Sequence, residues 1–133
     1  MTMVLLETSF IIDLFQNEPS AVHVFNDIQR KESRIFVAAP TVMELWFGAL
    51  QSKKLSVQEK DKIDTFLADI TLLPLGLLEA KRAAEVEVDL MQKGLMIETE
   101  DVQIAGIAMT HGETIVTRDE HYARIPGLRV LKY

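Results

Sequence analysis

Four of the twenty acidic residues sit where chemistry is possible. Glu7 follows the apolar run Met3-Val4-Leu5-Leu6, and Asp119 follows Ile115-Val116-Thr117-Arg118. Asp101 opens a helical pattern, and Glu44 lies in a helix whose Glu44 face is flanked by the small residues Pro40 and Gly48. Carboxylates brought together with no lysine between them repel one another unless a cation neutralises them. Oxygen ligands alone select hard ions such as Mg²⁺ or Mn²⁺ over zinc. The chemistry open to such a set is that of a bound divalent metal. Each acid also has a plainer role. Glu7 marks the polar end of a strand, Glu44 suits a solvated helix face, Asp101 suits a helix first turn, and Asp119 suits an N-cap.

The elements that must position these acids alternate along the chain. Met3 to Leu6 reads as a strand buried on both faces, followed by a short, mostly buried helix over Phe10 to Phe15. Pro19 suits the start of a helix running to about Arg30, with Ala21, Val22, Phe25 and Ile28 as its stripe. Arg34 to Ala38 is a second strand. The helix opening at Pro40 runs to about Ser52, with Val42, Trp46 and Ala49 on one face. Ser56-Val57-Gln58-Glu59 has a capping-box pattern for a helix ending near Asp69, with Ile63, Phe66 and Leu67 inward. Ile70 to Leu75 is a third strand, and Leu77 to Lys93 a long helix stopped by Gly94. A helix from about Glu100 aligns Asp101, Ile104, Ala105 and Ala108 on one face. The fourth strand ends at Asp119, Glu120 to Ile125 is a helical turn, and Leu128 to Leu131 is a last strand.

This order implies α/β architecture: one domain over 1–133, a three-layer sandwich with a mostly parallel, Rossmann-like central sheet and helices on both faces. In such a sheet, residues just past the strand C-termini and at the adjoining helix N-termini converge on one edge. Glu7, Asp101 and Asp119 meet that rule directly, whereas Glu44 meets it only if its helix leans over the same edge.

Composition narrows the function classes. Nearly half of the 133 residues (48%) are hydrophobic, yet no apolar run reaches the ~18 residues of a membrane span. No cysteine is present, which excludes disulfides and thiolate metal sites and makes a reducing cytoplasm the expected compartment. The formal net charge of -6 argues against binding nucleic acid by lysine and arginine alone. A receiver-type acidic pocket would want paired acids after the first strand and a late Lys-Pro, and neither occurs. A dinucleotide fold would want a glycine-rich turn there, and Glu-Thr-Ser supplies none.

At these residues the chain resembles the PIN-domain family, and within it the VapC-type toxins of toxin–antitoxin pairs. The matching pieces are Leu-Leu-Glu-Thr-Ser-Phe-Ile-Ile-Asp (Leu5 to Asp13), Thr-Val-Met-Glu-Leu-Trp-Phe-Gly (Thr41 to Gly48), Glu-Asp-Val-Gln-Ile-Ala (Glu100 to Ala105) and Ile-Val-Thr-Arg-Asp-Glu-His-Tyr (Ile115 to Tyr122). Their order and spacing span nearly the whole chain. The resemblance implies a metal-dependent endoribonuclease, a homodimer, and inhibition by an antitoxin, with RNA as substrate and no organic cofactor or membrane. It carries Glu44, Asp101 and Asp119 over as acidic ligands and Thr117 as a supporting hydroxyl. Glu7 departs from the pattern, because the family has Asp there.

Phosphodiester hydrolysis by one or two divalent ions is the implied reaction. Glu7 is expected to reach the metal through its longer arm or through a water. Thr8 and Ser9 are candidates for hydrogen-bonding a carboxylate or phosphate, or for capping the helix. Arg118 is placed to pair with the acids, to meet substrate or to stay solvated. His121 and Tyr122 offer rings for base stacking, although Tyr122 also suits core packing. Asp13 reads as structural or surface. The competing reading is a non-catalytic PIN-like binding module in which Glu7 weakens the metal site.

Overall fold

The computed structural model describes residues 2–133. Its five strands are β1 (Met3–Leu6), β2 (Arg34–Ala38), β3 (Thr71–Leu73), β4 (Thr114–Val116) and β5 (Arg129–Leu131). They form one sheet in the order β3-β2-β1-β4-β5, and every pairing is parallel. Six helices complete the fold: α1 (Thr8–Phe15), α2 (Pro19–Arg30), α3 (Ala39–Gln51), α4 (Ser56–Leu67), α5 (Leu77–Gln92) and α6 (Thr99–Thr110). A 3₁₀ turn covers Glu120–Arg124.

Side chains alternate across the sheet, as the pleat requires. Leu5, Phe36, Ala38 and Ile115 point into a core shared with α5 and α6. Val4, Leu6, Val37 and Val116 point into a second core with α1, α2, α3 and α4. That is the expected three-layer sandwich. β1 is apolar throughout because both its faces are covered.

Four local expectations are corrected. Leu55, not Ser56, is the N-cap of α4, so Ser56 and Glu59 sit one position too far along the helix for a capping box, and no side-chain cap bond forms. β3 is shorter than Ile70 to Leu75. The Ile70 N–H is taken by the Leu67 carbonyl at 3.1 Å, and Pro74 has no N–H to give. On α3 the buried stripe is Thr41, Leu45 and Ala49, while Val42 and Trp46 pack only partly against the core. α6 is buried well beyond one stripe: Val102, Ile104, Ala105, Gly106, Ile107 and Ala108 are all inside, because α5 covers the side that the sheet leaves open. Gly94 behaves as expected. It takes φ +69° just after α5, and the Leu95 N–H returns to the Leu90 carbonyl at 2.9 Å.

Strand order reverses between β1 and β4, its two sides running out to β3 and to β5. At such a switch point the loops leaving the strand C-termini part and open a crevice. Glu7 and Thr117 are the first residues past the two strands, and the Glu7 N–H still bonds the Val116 carbonyl at 3.1 Å. α6 runs back toward the start of β4, so its N-terminus and Asp101 lie at the same edge. None of the helices among the described residues is long and apolar enough to cross a membrane.

Candidate active site

Glu7 is almost completely buried and caps α1. One carboxylate oxygen, Oε1, receives three donors: the Ser9 N–H at 3.1 Å, the Ser9 hydroxyl at 2.5 Å and the Thr117 hydroxyl at 2.6 Å. Burial pushes the Glu7 pKa up, these hydrogen bonds pull it back, and the charge of Asp119 adds to the rise. Thr117, fully buried, also accepts the Asp119 N–H at 2.9 Å. It therefore links the end of β1 to the loop beyond β4.

Glu44 does lean over this edge. The Thr8 hydroxyl donates to Glu44 Oε1 at 2.8 Å and lies 3.1 Å from the hydroxyl of Thr41, one helical turn before Glu44 on α3. Loss of water around its carboxyl raises the Glu44 pKa against the pull of Thr8, with the charges of Asp101 and Glu100 adding to it. Asp101, in the first turn of α6, accepts the Tyr122 hydroxyl at 3.1 Å. Burial pushes its pKa up to about 6; the Tyr122 bond opposes the rise, and Asp119 and Glu7 reinforce it. Asp119 caps the 3₁₀ turn through the His121 N–H at 2.9 Å, and its Oδ1 lies 3.1 Å from His121 Nδ1. Capping, the plainer role the sequence offers Asp119, is observed in this residue and also in Glu7, where the sequence offered only a strand end.

Three acids from three elements thus share one electrostatic environment, with Glu44 coupled to Asp101. Among the described residues, none of the four is paired with Lys or Arg. Carboxylates left without cationic partners suit a hard divalent cation. Asp101, Asp119 and His121 place one ligand atom each within 4.8 Å of one another, and Glu7 and Glu44 are not in that trio.

The remaining candidates are structural or peripheral in their contacts. Thr8 and Ser9 bond carboxylates, as one reading of the sequence expects. Arg118 pairs with Asp13 instead of the acid edge, its Nε 3.3 Å from Asp13 Oδ2. Asp13 also accepts the Tyr133 hydroxyl at 2.6 Å, so it is a buried structural acid. Tyr122 is fully buried, which removes it as a base-stacking ring. Its hydroxyl contact to Asp101 was not legible in the sequence, nor was that of Thr41 to Thr8. Glu113 is a fifth acid of note: it is buried, neither oxygen has a hydrogen-bond partner, and its pKa is pushed up to about 7. It precedes β4, at the opposite end of that strand from Thr117. A cleft of about 750 Å³ borders the site at Glu44 and is lined by Pro40, Met43, Phe47, Leu75, Glu100 and Gln103 among others.

Comparison with known proteins agrees with the fold. The family profile described as PIN domain matches residues 4–128. The chain is similar to Ribonuclease VapC2 of Rickettsia felis, with 27% identity covering 93% of this chain and 92% of that protein. It is similar to the tRNA(fMet)-specific endonuclease VapC of Salmonella typhimurium, with 28% identity covering 95% and 94%. The crystal structure of DNA-bound VapBC from Salmonella typhimurium superposes with a TM-score of 0.90 at 26% identity, covering 99% of this chain and 98% of the other. The profile spans almost all of the sequence and the superposition nearly every residue, and so the chain belongs to the PIN-domain family.

Proposed function

We propose that this protein is a divalent-metal-dependent endoribonuclease, acting over the whole of 1–133 as the toxin of a type II toxin–antitoxin pair. One observation carries the reading: Glu7, Asp101 and Asp119, with Glu44 coupled to Asp101, gather unpaired by Lys or Arg at the switch point of a parallel sheet. The relatives named as ribonuclease and endonuclease support RNA as the substrate. The VapBC complexes among its structural neighbours support a cognate antitoxin.

Mg²⁺ or Mn²⁺ is the cofactor of this reading, held by Glu44, Asp101 and Asp119. When bound, it orients a water, lowers its pKa and stabilises charge on the leaving oxygen. The protein's own contribution is placement. Thr8 fixes Glu44, Tyr122 fixes Asp101, and Thr117 holds Glu7 against the Asp119 loop. Glu7 acts mainly through this bracing. A carboxylate at this edge takes the proton of the attacking water. With a net charge of -6, the chain relies on the cation to draw an RNA phosphate to the acids.

Met43, Phe47 and Leu75 line the cleft beside Glu44; Met43 and Phe47 are largely exposed and Leu75 partly so, and the neighbouring Leu77 and Leu78 are largely exposed. Apolar surface of this extent marks an interface and supports a homodimer. The cytoplasm is the compartment of this reading, consistent with the absence of cysteine.

The three donors on Glu7 Oε1 favour a second reading, a PIN-like module that binds RNA or protein with a weakened metal site. RNA cleavage with Mg²⁺ or Mn²⁺, and with EDTA, separates the two. Cleavage that needs metal is expected, with Asp101→Asn and Asp119→Asn each abolishing it. Neutralising a crowded carboxylate relieves repulsion, so metal-free thermal midpoints of both variants should equal or exceed the parent's. Cleavage that survives chelation ends the metal-dependent reading, and no cleavage under any condition favours the binding module; a large loss of stability makes these acids structural caps.

A further inference from the structure

Resting on that reading, we infer that His121 is itself a metal ligand, so that an imidazole joins Asp101 and Asp119, beside Glu44, where an all-carboxylate set was expected. Three observations converge on this. Asp101, Asp119 and His121 each present a ligand atom within 4.8 Å of the other two, and Glu7 does not join them. His121 Nδ1 lies 3.1 Å from Asp119 Oδ1. Adjacent ligands in an octahedron with bonds of about 2.1 Å stand roughly 3 Å apart, so this pair already has the spacing of two neighbours around one ion. Finally, Glu7 is occupied. Its Oε1 accepts the Ser9 N–H, the Ser9 hydroxyl and the Thr117 hydroxyl, which commits the longer side chain to capping α1 and holding Thr117.

Local backbone geometry sets the ring in place. Asp119 caps the 3₁₀ turn by accepting the His121 N–H at 2.9 Å, which fixes the His121 backbone next to the carboxylate it would share an ion with. The following residue, Tyr122, is fully buried and bonded to Asp101, so the turn cannot swing away from α6 without losing that contact. His121 itself remains exposed to solvent.

A nitrogen ligand changes which ion is preferred. Carboxylate oxygens alone suit Mg²⁺, whereas imidazole favours transition ions, and Mn²⁺ accepts both. The centre should therefore prefer Mn²⁺ to Mg²⁺ more strongly than carboxylates alone would.

The test is pulsed EPR of the Mn²⁺-loaded protein, together with titration of Mn²⁺ and Mg²⁺ into wild type and His121→Gln. Wild type should show ¹⁴N coupling to the bound Mn²⁺, and His121→Gln should lose it. Mn²⁺ affinity should fall at least about tenfold in the variant while Mg²⁺ affinity changes less than about threefold, with the metal-free melting temperature unchanged. Bound Mn²⁺ without nitrogen coupling in wild type, or an unaltered Mn²⁺ to Mg²⁺ ratio in the variant, overturns the assignment and leaves the nuclease reading standing. Wild type that binds Mg²⁺ but no Mn²⁺ likewise overturns only the assignment, and wild type that binds neither overturns both.

Discussion

One methylene separates Glu7 from the aspartate that the resemblance to the family leads us to expect, and we expect it to bear on both stability and catalysis. The carboxylate caps α1 and holds Thr117, so its removal should be felt in the fold as well as in turnover. Glu7→Ala removes an N-cap and leaves the Ser9 and Thr117 hydroxyls short of a partner; a loss of about 1–2 kcal/mol is expected. Glu7→Asp keeps a good capping residue and should cleave RNA at least as well as the parent. Thermal melts and RNA turnover of the two variants check this, and an alanine variant that melts and cleaves like the parent removes Glu7 from the site. At this scale the acids were legible because Glu7, Asp101 and Asp119 sit at element ends that a parallel sheet brings to one edge. Their supporting hydroxyls were only partly so. Thr8 and Ser9 adjoin Glu7 in sequence, but Tyr122 reaches Asp101 across 21 residues and Tyr133 reaches Asp13 across 120. Only the folded chain shows which hydroxyl meets which acid.

Helix α6 delivers Asp101, and its position depends on Gly106. A Cβ built there would stand 2.8 Å from the Ala83 N, the Ala83 Cβ and the Glu79 carbonyl oxygen on α5. Backbone atoms do not yield as a flexible side chain would. Gly106→Ala gains about 1 kcal/mol of helix propensity, but overpacking costs about 1–3 kcal/mol, and contact with backbone places this site at the upper end. A net destabilisation of about 1–2 kcal/mol is expected, with weakened metal binding as α6 shifts away from the sheet. Denaturant midpoints and Mn²⁺ titration measure the two effects; a neutral result would show slack between α5 and α6. The sequence pattern gave β1 and β2 their observed bounds, since each is an apolar run closed by polar or helix-starting residues. It misjudged α6, because a helix enclosed by both a sheet and another helix loses the one-sided stripe on which periodicity depends. It also misplaced the cap of α4, where Ser56 and Glu59 have the right types at a helix that begins one residue early.

Across the whole molecule, buried acids tie stability to pH. Burial raises the pKa values of Glu7, Glu44, Asp101 and Glu113, so the folded protein holds these protons more tightly than the unfolded chain does. For a carboxyl whose folded pKa is raised, stability is greatest below the unfolded value and is lost as pH rises toward the folded one. The metal-free protein should therefore melt higher at pH 5 than at pH 8. Glu113 is the clearest case, lying far from the acid edge, with a pKa raised from 4.5 to about 7 by burial and partly offset by His111 and Arg34. Its ionisation costs on the order of 3 kcal/mol above pH 7. Glu113→Met should thus stabilise the protein at pH 8 by about 2–3 kcal/mol and at pH 5 by much less, as read from melts at both values. Equal gains at the two pH values would mean that charge is not the cause. The sheet order has a further consequence, in time. β1 is synthesised well before one of its two neighbours, β4, and the hydroxyl that holds Glu7 follows that residue by 110 positions. At about 5–20 residues per second, ribosomes take roughly 5–20 s to cover that distance. A nascent chain can pair β1 with β2 in that interval, but the crevice between β1 and β4 does not yet exist. A nuclease built in this order stays silent beside the message and the ribosome that are making it.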